Sequence, residues 1–132
     1  MFVRDCMTTP VTSTSPQTRL FAALKVMNDR RFRRLPVVDE RKLVGIITKN
    51  DIYAALGPVA QWGTFEEGGE PAVEEYMTPK PLAISPKEPL EAAALLMHDH
   101  RLSGLPVLEG SRLVGIITET DIFKAFLDIM GV

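Results

Sequence analysis

The chain has 132 residues, 45% of them apolar and 24% charged, with Lys+Arg 15 against Asp+Glu 17 and a formal net charge of -2. Such a chain has the composition of a soluble globular protein. It lacks the excess of Lys and Arg on which a non-specific nucleic-acid binder depends. No apolar run approaches the roughly 20 residues that span a bilayer, and the N-terminus carries an early acid, Asp5, with no signal-peptide core. The single Cys6 allows no internal disulfide, which fits a cytoplasmic protein with no membrane association.

The dominant feature is an internal repeat. Residues 3–52 align without a gap to residues 73–122 at an offset of 70, with 22 identities in 50 positions; chance would give about 3. Three segments follow: a first repeat over 1–56, a linker over 57–72 and a second repeat over 73–132. Each repeat is short for a self-sufficient core, so the two are expected to pack about a pseudo-twofold axis.

In chain order, Val3–Thr8 and Val73–Thr78 suggest a helical turn, and Val11–Thr14 and Leu82–Ile84 a short strand. Ser15-Pro16 and Ser85-Pro86 fit an N-cap followed by proline at the first helical position, and Ser85 to Glu88 has capping-box spacing. Leu20, Leu24 and Met27 then recur at helical spacing, matched by Leu90, Ala93, Ala94 and Met97. Leu35 to Val38 and Leu105 to Leu108 predict strands. They turn through Asp39–Lys42 or Glu109–Arg112 into the runs Leu43–Ile47 and Leu113–Ile117, whose unbroken apolarity suggests burial on both faces. Gly45 and Gly115 within those runs leave room for a close neighbour, backbone or ligand. Thr48 and Thr118 open final helices carrying Ile52, Tyr53 and Leu56, or Ile122, Phe123, Phe126 and Leu127. The fold class is therefore α+β, two β-α-β-β-α units. The linker is rich in Gly, Pro and Glu and reads as a surface loop, with Trp62 and Phe65 pinning it to the core or meeting a partner chain.

Three places invite chemistry. His98 and His100 sit at i, i+2 and share no helix face, and Cys6 has no paired base, so neither suggests a metal site or a nucleophile. No phosphate-binding glycine loop, zinc-protease or nucleophile-elbow motif is present, and the expectation is a non-enzyme without catalytic or metal residues. Thr48-Lys49-Asn50-Asp51 and Thr118-Glu119-Thr120-Asp121 admit two readings. Thr-x-x-Asp is a helix cap. A short carboxylate at a helix N-terminus also suits the vicinal hydroxyls of a ribose. The reciprocal capping box prefers Glu or Gln, which tilts these aspartates toward a ligand. Finally, Arg30, Arg31, Arg33 and Arg34 either complement a helix C-terminus or bind phosphate, while the second repeat has His100 to Gly104 there, so anions would bind unequally.

Met-Thr, Ser-Pro, the Leu-Pro-Val strand and Leu-Val-Gly-Ile-Ile-Thr-x-x-Asp-Ile, in order and twice, resemble tandem CBS (cystathionine β-synthase) domains, a Bateman module, as in stand-alone two-repeat CBS proteins. The resemblance implies two clefts between the repeats that take AMP, ADP or ATP, less often S-adenosylmethionine or a dinucleotide, to regulate a partner protein. It also implies a disc-like homodimer. Carried over, Thr48 and Asp51 hold the ribose and phosphate of one cleft, with Thr78, Leu82, Ala83, Ser103, Gly104 and Leu105 around the base. Thr118 and Asp121 serve the other, with Thr8, Val11, Thr12, Arg34 and Leu35, and Arg33 reaches phosphates in either. The alternative is a structural dimerisation module that binds no nucleotide, and a nucleic-acid binder is the weakest reading.

Overall fold

A computed structural model describes residues 1–132. The chain folds into two compact units, Thr12–Lys80 and Met1–Val11 with Pro81–Val132. The units and the repeats divide the chain differently. The first eleven residues join the unit built on the second repeat, and residues 73–80 stay with the first.

The Thr12–Lys80 unit contains helix α2 (Leu20–Arg30), strands β1 (Arg34–Asp39) and β2 (Lys42–Thr48), helix α3 (Lys49–Leu56) and the two-residue strand β3 (Thr78–Pro79). The other contains the turn α1 (Val3–Cys6), α4 (Leu90–His100), β4 (Gly104–Glu109), β5 (Arg112–Thr118) and α5 (Glu119–Ile129). Both hairpins are antiparallel with the same register, Arg34↔Thr48 and Gly104↔Thr118 at their open ends, and the same irregularity after Val37 and Val107. The β1–β2 turn places Glu40 and Arg41 at φ 49° and 67°, the left-handed pair that matches hairpin twist. In the other hairpin Gly110 supplies a φ of 63° without strain.

The leading strand of each repeat is reduced to one parallel bridge, Thr14↔Val37 and Ile84↔Val107. Ser15-Pro16 turns the chain away at once, with the Thr18 N–H bonded to the Ser15 carbonyl at 3.2 Å. The Ser-Pro pairs are thus turns and not helix caps. Helix α2 begins after Arg19 and α4 after Pro89, neither with a side-chain cap. Ser85 likewise bonds Lys87 and Glu88 within a turn. Helix α2 is capped from afar: the buried Glu70 carboxylate accepts the Phe21 N–H at 3.3 Å, and its carbonyl accepts from Arg19 Nη1 at 3.1 Å.

Each unit holds its own core. One joins Leu20, Leu24 and Met27 to Leu35, Val37, Ile47, Ile52 and Leu56. The other joins Leu90, Ala93 and Met97 to Leu105, Val107, Ile117 and Ala125. The leading segment of each repeat completes the core of the other repeat's unit, Val73 in the first and Val3 in the second, both fully buried. Such a valine contributes about 1.5–3 kcal/mol of burial. It is held by backbone bonds, Val73 N–H to the Thr18 carbonyl at 2.8 Å and Val3 N–H to the Glu88 carbonyl at 2.9 Å.

The inner strands depart from the expected burial on both faces. Strand β2 alternates, with Gly45 and Ile47 buried and Val44 and Ile46 half-buried, because it is covered fully on one face only. The same pattern recurs in β5. The glycines make room for protein: a Cβ on Gly45 would strike Met77 and lie 3.0 Å from the Thr78 carbonyl, and one on Gly115 would strike Met7 and lie 3.2 Å from the Thr8 carbonyl. On α5 Ala125 and the half-buried Ile122 meet the core, while Phe123 and Phe126 are 66% and 54% exposed, since positions two before and one after Ala125 turn away from it at about 100° per residue. The linker is partly ordered, with a 3-10 helix over Val59–Thr64. Its Trp62 stacks on Tyr53 at 6.1 Å and meets Phe21 at 5.7 Å, Phe65 meets Phe21 at 5.9 Å, and Trp62 Nε1 donates to the Gly57 carbonyl at 2.8 Å. No helix is long and apolar enough to cross a membrane.

Candidate functional site

The two Thr-x-x-Asp segments are helix starts. Thr48 is the N-cap of α3, extended at φ -109° and ψ 161°. Its hydroxyl accepts the Asp51 N–H at 3.1 Å, and the Asp51 carboxylate accepts the Thr48 N–H through Oδ2 at 2.9 Å. Thr118 and Asp121 repeat the arrangement at 3.3 and 2.9 Å, and the Thr118 hydroxyl also donates to Asp121 Oδ2 at 3.0 Å. The short carboxylate therefore closes the reciprocal box that its length seemed to disfavour. A side chain near a helix start leans back toward the N-terminus, so Asp reaches without the extra methylene of Glu.

The cap does not consume the group. It engages one oxygen of each aspartate, and both residues are half-buried. Asp51 Oδ1 makes no hydrogen bond to the protein. Asp121 is held more fully: Thr8 Oγ1 donates to it, 3.1 Å from Oδ1 and 3.2 Å from Oδ2. Thr8 arrives there because its backbone pairs with Ile116 in both directions. Thr78 occupies the matching place beside Ile46 but makes no such bond to Asp51.

The first helical N–H groups are taken as well. Lys49 N–H donates to the Arg33 carbonyl at 2.8 Å, and Glu119 N–H to the Ser103 carbonyl at 3.0 Å. These bonds tie the residue before each Leu-Pro strand to the helix start. Within one unit Arg33 and Arg34 lie beside Thr48 and Asp51; within the other Ser103 and Gly104 lie beside Thr118 and Asp121. The first helix start is thus flanked by guanidinium groups, with Arg33 exposed, and the second by small residues.

Thr12, Arg33, Arg34, Leu35, Thr48, Asp51 and Thr78 belong to one unit, and Thr8, Val11, Leu82, Ala83, Ser103, Gly104, Leu105, Thr118 and Asp121 to the other. Leu35 and Leu105 have fully buried side chains, so each could offer a ligand only its main chain. Leu82 is exposed, and Val11, Thr12 and Ala83 are half-buried. His98 and His100 are exposed, His98 with Asp99 at 3.2 Å. Cys6 is half-buried and its thiol pKa is raised, first by burial and then by Asp5. Local patterns gave no sign of Glu70 as a helix cap, and Gly45 and Gly115 hinted at a close neighbour without naming Met77 and Met7.

A paired hairpin-and-helix unit, twice built, with a capped aspartate at the head of each last helix is the architecture of a CBS domain pair. The chain belongs to the CBS domain family, whose model matches residues 3–58 and 73–128. It is similar to the solved CBS domain pair of protein MJ0100 in complex with 5′-methylthioadenosine and S-adenosyl-L-methionine, at 33% identity and a TM-score of 0.83 over 98% of each chain. It is also similar to CBSX2 in complex with AMP, at 30% identity and a TM-score of 0.84 over 97% of each chain; CBSX2 is an Arabidopsis thaliana protein. Among curated relatives, an uncharacterized 33.4 kDa protein of Thermofilum pendens is 33% identical over 135 residues, 98% of this chain. The chain spans only 45% of that relative's length.

Proposed function

We propose that this CBS pair is a non-catalytic regulatory module that binds adenosine-containing ligands, AMP, ADP or ATP, and signals their level to a partner protein. The observation that carries the reading is the half-buried Asp51 carboxylate: its Oδ2 closes the helix cap while Oδ1 has no protein partner. A free acceptor at a helix N-terminus is suited to sugar hydroxyls, and the adjacent Arg33 and Arg34 suit phosphate. Two structurally similar CBS pairs carry adenosine compounds, one AMP and one S-adenosyl-L-methionine with 5′-methylthioadenosine. Thr48 and Asp51 are then the ribose residues of one site and Thr118 and Asp121 those of the other. On this reading Val11, Thr12, Leu82, Ala83, Ser103 and Gly104 offer small or main-chain groups to a base.

The test is calorimetric titration of nucleotide-free protein with AMP, ATP and S-adenosyl-L-methionine, with unfolding temperature followed in parallel. A ligand that binds only the folded state raises Tm by mass action. Saturable heat with an adenylate supports the reading. No heat and no Tm shift with any of the three, at millimolar ligand, contradicts it and leaves a structural module.

A further inference from the structure

The two helix starts come from one duplicated segment, yet their charged neighbours have opposite signs. At the head of α3, Lys49 is the first helical residue, its N–H bonded to the Arg33 carbonyl, and Arg34 pairs with Thr48. Three cations therefore flank Thr48 and Asp51. At the head of α5 the matching positions hold Glu119, Ser103 and Gly104, with the Glu119 N–H bonded to the Ser103 carbonyl and Gly104 paired with Thr118. None of the three cations is kept there, and a second acid stands beside Asp121. Lys49 is half-buried, and Arg33 and Glu119 are exposed, so a solute meets these charges. Lys124, about 7.5 Å farther along the α5 axis than Glu119, lines the same hollow as Glu119 and offsets one of the two acids. The aromatic residues differ as well. Phe123 lines that hollow and is 66% exposed, whereas its counterpart Tyr53 has one ring face stacked on Trp62.

We propose that the two helix starts sort adenosine compounds by charge. The Thr48–Asp51 start takes those with an anionic, phosphorylated 5′ substituent. The Thr118–Asp121 start takes those with a cationic 5′ substituent, such as a sulfonium. The inference rests on the reading that each aspartate holds a ribose. Specificity of this kind needs a repulsive element as well as an attractive one. At α3 the guanidinium forks and Lys49 attract phosphate and repel a cation. At α5 Glu119 and Asp121 repel phosphate, and Glu119 with the open ring of Phe123 attracts a cation. Asp121 already accepts from the Thr118 N–H, the Thr118 hydroxyl and the Thr8 hydroxyl. That leaves about one of a carboxylate's four acceptor positions for a sugar hydroxyl.

The experiment titrates the nucleotide-free full chain calorimetrically with ATP, with S-adenosyl-L-methionine, and with each into protein saturated by the other. One equivalent of each is expected, and saturation with ATP should change the affinity for S-adenosyl-L-methionine by less than about 3-fold. Lys49→Gln should weaken ATP by about 5-fold and leave S-adenosyl-L-methionine within a factor of about 2; Glu119→Gln should do the reverse. Both substitutions keep a good helix former, and the unfolding temperature separates a lost contact from a lost fold. Competition of the two ligands for one place, two equivalents of ATP of equal affinity, binding of only one of the two compounds, or a glutamine variant that shifts both ligands alike would each overturn the sorting and leave adenosine binding standing. Absence of heat with either compound would overturn the sorting together with the reading on which it rests.

Discussion

Thr8 and Asp121 stand 113 positions apart in the chain, and the Thr8 hydroxyl lies 3.1 and 3.2 Å from the two Asp121 carboxylate oxygens. The matching pair, Thr78 and Asp51, is not bonded. The two Thr-x-x-Asp motifs therefore differ in their hydrogen-bonding surroundings. A hydrogen bond to a charged acceptor is worth about 1.5–3 kcal/mol when well formed and less where the donor is exposed. Thr8→Val is expected to lower unfolding stability by about 1 kcal/mol, and Thr78→Val by under about 0.5 kcal/mol. Equal losses in urea melts would show the asymmetry to have no energetic weight.

Asp51 serves a cap and, on the reading above, a ligand, and the two roles separate by substitution. Asp51→Asn keeps an oxygen for the Thr48 N–H, and stability should stay within about 0.5 kcal/mol of wild type. Asp51→Ala removes the carboxylate half of the reciprocal box, leaving the Thr48 hydroxyl in place, and should lose about 1 kcal/mol. Chemical denaturation distinguishes them; an alanine variant as stable as wild type would mean that the reciprocal box contributes nothing.

Gly45 and Gly115 are required by close approach. A methyl group at either position meets a methionine side chain, which can move, and a threonine carbonyl in a paired strand, which moves less readily. Overpacking of this type costs about 1–3 kcal/mol. Gly45→Ala and Gly115→Ala should each lower the unfolding temperature, as thermal unfolding of the two variants checks; an alanine variant as stable as wild type would mean that the methionine yields freely.

The guanidinium groups stand on one side of the duplication only. Arg33 is exposed beside the Thr48–Asp51 helix start, where the other unit has Ser103. Arg33→Ala should weaken ATP by about 10-fold, the loss of one charge-assisted phosphate contact, and leave adenosine within a factor of about 2. Equal losses for ATP and adenosine in parallel titrations would remove the phosphate role.

Much of the fold was legible because its signals are local. Leu20, Leu24 and Met27 mark their helix face by spacing alone, and both hairpins follow from short apolar runs about a polar turn. The failures are non-local. Ser15-Pro16 has the composition of a helix start, but α2 begins later and is capped by Glu70, about 50 residues away. Phe123 and Phe126 look like core residues in any pattern of apolar spacing, and only the packing shows that Ala125 takes that place. At the site, spacing alone could not separate cap from ligand, since one carboxylate can do both. The link from Thr8 to Asp121 was legible only through the family resemblance.

The central claim is that a carboxylate grips the vicinal hydroxyls of a ribose, and the sugar itself can be altered. Titration of nucleotide-free protein with AMP and with 2′-deoxy-AMP isolates that contact. Loss of a hydroxyl bonded to a charged acceptor should raise Kd by about 10-fold or more. Tight binding of AMP with an equal affinity for the deoxy sugar would contradict the assignment of Asp51 and Asp121.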